Sequence, residues 1–346
     1  MSTRSAVLRP LAVAALVVAA LAAAGLALPS WLLFLSTMAI AHAVVALGLV
    51  FMMRGGLVSF GQGLPFCLGA YAAGLAGPWL GLADAVWLLI LGGITAGVVA
   101  AVFGPLLSRY RGIFFAMLTL ALSMVLYGLL VKATPLGGSD GLNIARPAIL
   151  GVEPTAETAD YALFLLAIVT AGILSAIAAA HFNSVRGLMS LAVKENELRV
   201  EYMGASVRSM MAVNFVVAAV YGGIGGALAA IALGHIEPTF AYWTTSGEIV
   251  FLAILSGQVS VVAVFVASLI LELVRSFANL YFPETWQLAL GAFLLAVILF
   301  LPKGIGSIWH RGPASRRGPA ADGSVADGPV TDGPVTDGPL AKESGR

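Results

Sequence analysis

Apolar segments of membrane-spanning length follow one another along most of this chain, separated by short polar breaks. A helix crossing the hydrocarbon core needs about 20 mostly apolar residues. Lipid admits only helices or closed barrels, because every backbone polar group must be satisfied within the protein. Segments of this kind fall near residues 6–28, 31–53, 60–80, 84–107, 112–133 and 160–181, then 211–233, 241–257, 259–280 and 285–301. The expectation is an all-α, polytopic transmembrane helix bundle of about ten spans. A soluble fold is excluded, since only 10% of the 346 residues are charged and 60% are hydrophobic, whereas soluble domains carry about 25% charge.

With a net charge of +1 and no basic stripe outside the loops, the lipid bilayer is the expected partner and nucleic acid is not. The one cysteine, Cys67, excludes an internal disulfide or a cysteine-based metal cluster. In its apolar stretch it reads as a small buried hydrophobe. The run Leu11 to Leu28 behind Arg4 and Arg9 has some features of a cleavable signal. It approaches spanning length and another apolar segment follows at once, so an uncleaved first helix is expected. Segments 60–80 and 241–257 are short or interrupted by Gly, Pro and polar residues, which suits broken or re-entrant helices.

Charge placement gives an independent reading of topology. With a cytoplasmic N-terminus, Arg54, Arg109, Arg111, Arg186, Lys194, Arg199, Arg208 and Lys303 fall in inner loops, and Arg311, Arg316 and Arg317 follow the last span. The outer loops receive Lys132, Arg146 and Arg275 beside Asp84, Asp140, Glu153, Glu157, Asp160, Glu237 and Glu284. Ten spans with both ends in the cytoplasm thus satisfy the positive-inside rule. The membrane domain is expected over 1–313. From about Ala314 the sequence repeats Asp-Gly-Pro, at 327–329, 332–334 and 337–339. Such a composition cannot bury a core, so 314–346 is expected to be a disordered Gly/Pro-rich tail on the cytoplasmic side.

The long polar interruption at 182–210 exceeds a simple turn. Leu188, Leu191, Ala192 and Leu198 fall near helical spacing, Lys194, Glu195, Asn196, Glu197 and Arg199 supply a polar face, and Gly204 is placed to end a helix. One short amphipathic helix, or a pair, is expected at the cytoplasmic surface. It would lie in the headgroups or dock into a partner's groove; charge of both signs favours docking.

Four motifs in order resemble one family. They are Arg54 to Gln62 with Gly69-Ala70-Tyr71, then Arg111 to Leu120, then Gly137-Gly138-Ser139-Asp140-Gly141-Leu142, and finally Arg186-Gly187 through Lys194-Glu195-Asn196-Glu197 to Glu201 and Gly204. Over roughly residues 35 to 306 the chain resembles ABC importer permeases for branched-chain amino acids, of the LivM type. The resemblance implies that Arg186, Lys194, Glu195, Asn196, Glu197, Glu201 and Gly204 form an EAA-like loop coupling to an ATPase. The Glu-x-x-Gly spacing is kept, with Tyr202 and Met203 where the general consensus has alanines. It departs also at Ser256-Gly257-Gln258-Val259-Ser260, where the family has a Gly-Gly-x-Gly-Thr stretch and a proline. The implied partners are two ABC ATPase subunits, a second permease subunit of LivH type and an extracytoplasmic substrate-binding protein, in the cytoplasmic (inner) membrane of a prokaryote. ATP would be used by the partner subunits, so no bound cofactor is expected. Gly137, Gly138, Ser139, Asp140 and Gly141 would form an external loop.

Candidate residues of a translocation path are Ser59, Gln62, Thr119 and Glu248. The glycines and Pro65 around Ser59 and Gln62 suit either close helix packing or an unwound segment along a polar route. Ionisable groups within spans are functional candidates by default; Glu248 could link helices or line the path, Glu272 is placed to pair with Arg275, and His42 reads as a satisfied interior histidine. No catalytic or metal-ligating pattern is present, and no Gly-x-x-x-x-Gly-Lys-Ser/Thr phosphate loop occurs, so the chain is expected to be a transport subunit and not an enzyme. The alternatives are permeases for simple sugars or nucleosides within the same class, and a self-contained secondary transporter, which the scarcity of intramembrane charge disfavours.

Overall fold

The computed structural model describes residues 15–155, 158–258, 260–300 and 304–306. The expectations for the basic N-terminal residues and for the Asp-Gly-Pro tail fall outside these residues. The chain forms helices α1 (Ala15–Gly25), α2 (Ser30–Arg54), α3 (Gly63–Leu80), α4 (Ala85–Leu107), α5 (Gly112–Lys132) and α6 (Ala159–Phe182). Two short helices follow, α7 (Val185–Glu195) and α8 (Glu197–Tyr202), then α9 (Val207–Leu233), α10 (Trp243–Ser256), α11 (Val261–Tyr281) and α12 (Trp286–Phe300). Strands β1 (Leu142–Asn143) and β2 (His235–Ile236) pair antiparallel, Leu142 opposite Ile236 and Asn143 opposite His235.

Six helices among the described residues, α2, α4, α5, α6, α9 and α11, are long and apolar enough to cross a membrane. Apart from α11, which carries Glu272 and Arg275, they are apolar nearly all round, as suits helices with one face on protein and the other on lipid. Their ends follow local rules. Asp84 caps α4 by accepting the Val86 N–H at 2.9 Å, and Gly234 closes α9 in the left-handed region at φ +66°.

The bundle is organised around α9, which packs along α2, α3 and α4. Small residues permit the approach: a Cβ on Gly226 would lie 1.9 Å from the Phe66 carbonyl oxygen, and one on Gly223 would lie 2.3 Å from that of Gly92. In lipid, where apolar burial gives little drive for association, such backbone contact is what holds helices together. The least enclosed span is α5, which leaves Ile113, Phe114, Met117, Val125 and Leu129 exposed.

The ends of the helices gather in two groups. Arg54 at the end of α2 donates to the Gln258 carbonyl between α10 and α11 (3.0 Å) and stacks over Phe182 at the end of α6. Arg208 on α9 donates to the Pro105 carbonyl near the end of α4. Helices α7 and α8 lie at this end. At the opposite end Asp84, before α4, accepts the Gly151 N–H, and the β1–β2 pair joins the segment after α5 to the segment after α9. Four tryptophans of the described residues, Trp31, Trp79, Trp87 and Trp286, occupy helix termini of that second end, while Trp243 opens α10 two residues past Ala241.

The two interrupted segments begin their helices late. Residues 55–62 run without helix before α3, and a 3-10 turn, Pro238–Ala241, precedes α10. Arg275, counted above with the outer loops, lies within α11, six residues before its end. The helix continues past it, and Glu248 and Glu272 neutralise it on the flank of the bundle.

Candidate functional site

The motif residues of 182–210 form a braced projection. Ser184 caps α7 by accepting the Gly187 N–H, and Asn196 caps α8 by accepting the Arg199 N–H at 3.0 Å. Gly204 follows α8 at φ +86°, a conformation that suits glycine. The inner face differs from the sequence expectation. Gly187, Ser190 and Val193 are buried, while Leu188 (57%) and Leu198 (64%) point outward. The cause is the close seat of Gly187, where a Cβ would be 2.2 Å from the His181 carbonyl oxygen; that contact sets the rotation of α7. Tyr202 is 89% exposed and Met203 66%, and Arg186, Glu195 and Glu201 are exposed beside them.

Two polar contacts tie the projection to the spans. Arg111, just before α5, donates to both oxygens of Glu197 at 3.0 and 3.1 Å. Lys194 donates to Gln258 Oε1 at 2.7 Å, between α10 and α11. Gly56 packs against Lys194, and the glycine turn, Arg111 and residues 193–197 enclose a recess of about 240 Å³. Three motifs distant in sequence thus meet at one end.

Halfway along α5 the two irregular stretches meet. The Gly63 N–H donates to Ser246 Oγ at 2.8 Å, and Ser123 Oγ donates to the Ala241 carbonyl at 2.8 Å. Gly61 lies against the Thr119 backbone, where a Cβ would be 2.3 Å from the carbonyl oxygen. Ser59, Gln62 and Thr119 are all buried here. Ser59 Oγ accepts the Gly61 N–H, and Thr119 Oγ1 donates to the Ala116 carbonyl. Gln62 turns toward α2 and α9, with its Nε2 3.8 Å from Met52 sulfur, and its Oε1 has no hydrogen-bond partner. A buried amide oxygen left unpaired costs about 1–3 kcal/mol.

Glu248 stands apart from that junction. It pairs with Arg275, which reaches Glu272 at 3.4 Å, and Glu272 Oε1 lies 2.6 Å from His42 Nδ1. The network joins α2, α10 and α11 around a cavity of about 20 Å³, room for about one water. Its side chains are 14–31% exposed on the flank of the bundle, where facing hydrocarbon would be costly.

At the opposite end, Gly137 closes a 3-10 turn over Thr134–Leu136, Gly138, Ser139 and Asp140 form a second, and Gly141 leads into β1. Gly141 sits against the Ile236 carbonyl, and Ser139 donates to Asp140. This loop therefore packs on the segment that enters the bundle before α10. Sequence reading missed Ser123, since a serine within an apolar run has no distinguishing neighbour pattern, and missed the contact of Ser246 with Gly63. It also missed the Arg111–Glu197 pair, although the opposite charges of those two motifs were visible.

The chain matches the profile of a family described as the branched-chain amino acid transport system / permease component over residues 31–299. It is 26% identical over 298 residues to the high-affinity branched-chain amino acid transport system permease protein LivM of Escherichia coli (strain K12), covering 78% of this chain and 69% of that protein. It is 24% identical over 295 residues to the LivM protein of Salmonella typhimurium (strain LT2), with the same coverage. No solved structure matches it.

Proposed function

The chain belongs to the branched-chain amino acid transport permease family, and on that premise we propose that it is the membrane-spanning subunit of an importer driven by two separate ATPases. In this reading ten spans cross the cytoplasmic membrane, the end bearing α7 and α8 faces the cytoplasm, and the tryptophan-bearing end faces outward. The basic residues gathered at the first end support that sidedness. A substrate-binding protein delivers the amino acid to the outer end, a second permease of LivH type completes the route, and ATP is bound and hydrolysed by the partner subunits.

The observation that carries the proposal is the braced projection of α7 and α8. Leu198, Tyr202 and Met203 stand out from it as apolar side chains on a charged surface, which suits seating in a hydrophobic cleft. Displacement of the projection acts through Arg111–Glu197 on α5, which carries Thr119 and Ser123. Through Lys194–Gln258 it acts on the junction of α10 and α11, whose helices carry Ser246, Glu248 and Glu272. The contacts around Gly61, Ser123 and Ser246 are then the place where the route opens and closes. Ser59, Gln62 and Thr119 lie at that place, whereas Glu248, turned to Arg275 on α11, links helices beside it.

The test is uptake of labelled leucine, isoleucine and valine by the assembled transporter carrying Glu201→Lys with Tyr202→Asp. Uptake should fall at least tenfold, while the chain still inserts and still co-purifies with the second permease. Normal uptake by this variant removes the docking role. Uptake of a sugar or nucleoside in place of these amino acids by the unaltered transporter overturns the substrate assignment.

A further inference from the structure

The only residue other than glycine with positive φ among the described residues is Leu150, at φ +53°. It is followed by Gly151 at φ +78°, and residues 149–152 close as a two-residue hairpin, with reciprocal Ile149–Val152 hydrogen bonds of 2.9 and 3.1 Å. Such a turn needs positive φ at both central positions and ordinarily draws Asn, Asp or Gly. A branched apolar side chain here is disfavoured on backbone grounds, yet Leu150 is 78% exposed and Val152 68%. Strain held in place on a surface points to a contact outside the chain.

The tip is pinned beside the start of a helix of spanning length. Asp84 accepts the Gly151 N–H through Oδ2 at 2.8 Å while its Oδ1 caps α4. Ala148 exchanges hydrogen bonds with Ala83 and Ala85, and Ile149 turns inward onto the core. At about 1.5 Å per residue α4 is about 34 Å long, against a hydrocarbon core of about 30 Å. With α4 spanning that core, a tip one hydrogen bond from its start is level with the headgroup layer. Trp79, Leu80 and Trp87, all more than half exposed, flank the same helix start, where tryptophan favours the interface.

We propose that the 149–152 hairpin is an interfacial lipid anchor, with Leu150 and Val152 set into the outer headgroup region beside the tryptophans. The inference rests on the bundle lying in a membrane and not on what it transports. Its test uses the complete transporter in phosphatidylethanolamine/phosphatidylglycerol nanodiscs, with Leu150→Cys carrying an environment-sensitive NBD fluorophore. Cys67 is fully buried and stays unlabelled. Expected is blue-shifted emission, quenched several-fold more by lipid spin-labelled near the headgroup than by aqueous iodide. Water-like emission quenched mainly by iodide overturns the anchor. A blue shift that appears only when the substrate-binding protein is added overturns it too, assigning the tip to protein contact. Val152→Cys is read in parallel, so poor assembly of one variant leaves the other decisive. No transport is required for the readout.

Discussion

At Gly61 a single hydrogen atom decides whether α3 can begin beside α5. A methyl group there would lie 2.3 Å from the Thr119 carbonyl oxygen, so backbone would have to move. Gly61→Ala should destabilise the protein by about 1–3 kcal/mol, the range for overpacking, and reduce uptake as the junction is displaced. Gly128, where nothing stands within 4 Å of an added Cβ, is the matched control; inside α5, Gly128→Ala should raise stability by about 0.5–1 kcal/mol. Thermal unfolding in the same detergent compares the two. Gln62 separates packing from transport. Its Oε1 is buried without a partner, so Gln62→Met removes an unpaired group and should leave stability equal or raise it by about 1 kcal/mol. If Gln62 serves the route, uptake falls sharply nonetheless; unchanged uptake takes Gln62 out of it.

Among the elements, α8 is too short to hold itself in place, since helices under about 12 residues are marginal alone. It is positioned by its Asn196 cap, by buried Val200, and by Arg111. Both partners of the Arg111–Glu197 pair are substantially exposed, so the pair contributes at most about 1 kcal/mol. Glu197→Ala should accordingly lower stability by less than that, while uptake falls several-fold and ATPase activity loses its stimulation by the loaded binding protein. Arg111→Ala should do the same, and the double variant should add little to either. Fully additive losses would show that the pair transmits nothing.

Over the described residues, most basic residues gather at one end and four tryptophans at the other, a polarity that belongs to no single helix. Single cysteines placed at Ser184 and Tyr202 should react with a membrane-impermeant maleimide only from the cytoplasmic side, and cysteines at Ser139 and Glu153 only from outside. Reaction of both sets from one side would overturn the ten-span reading. The buried Cys67 gives little background in intact cells.

Nearly every helix was legible in the sequence, because lipid leaves a chain few choices: backbone groups must be paired, and a spanning segment must be apolar over its length. The breaks before α3 and α10 were legible for the same reason, as glycine, proline and polar residues within apolar runs. What is apolar all round, however, carries no record of which face meets protein and which meets lipid. The centrality of α9, the rotation of α7 that turns Leu188 outward, and the convergence of Ser123, Ser246 and Gly61 were decided only in three dimensions, by the close backbone approaches that glycine permits. Arg275 shows the same limit. As a charge in sequence it read as a loop residue, and only the approach of Glu248 from another helix neutralises it within α11.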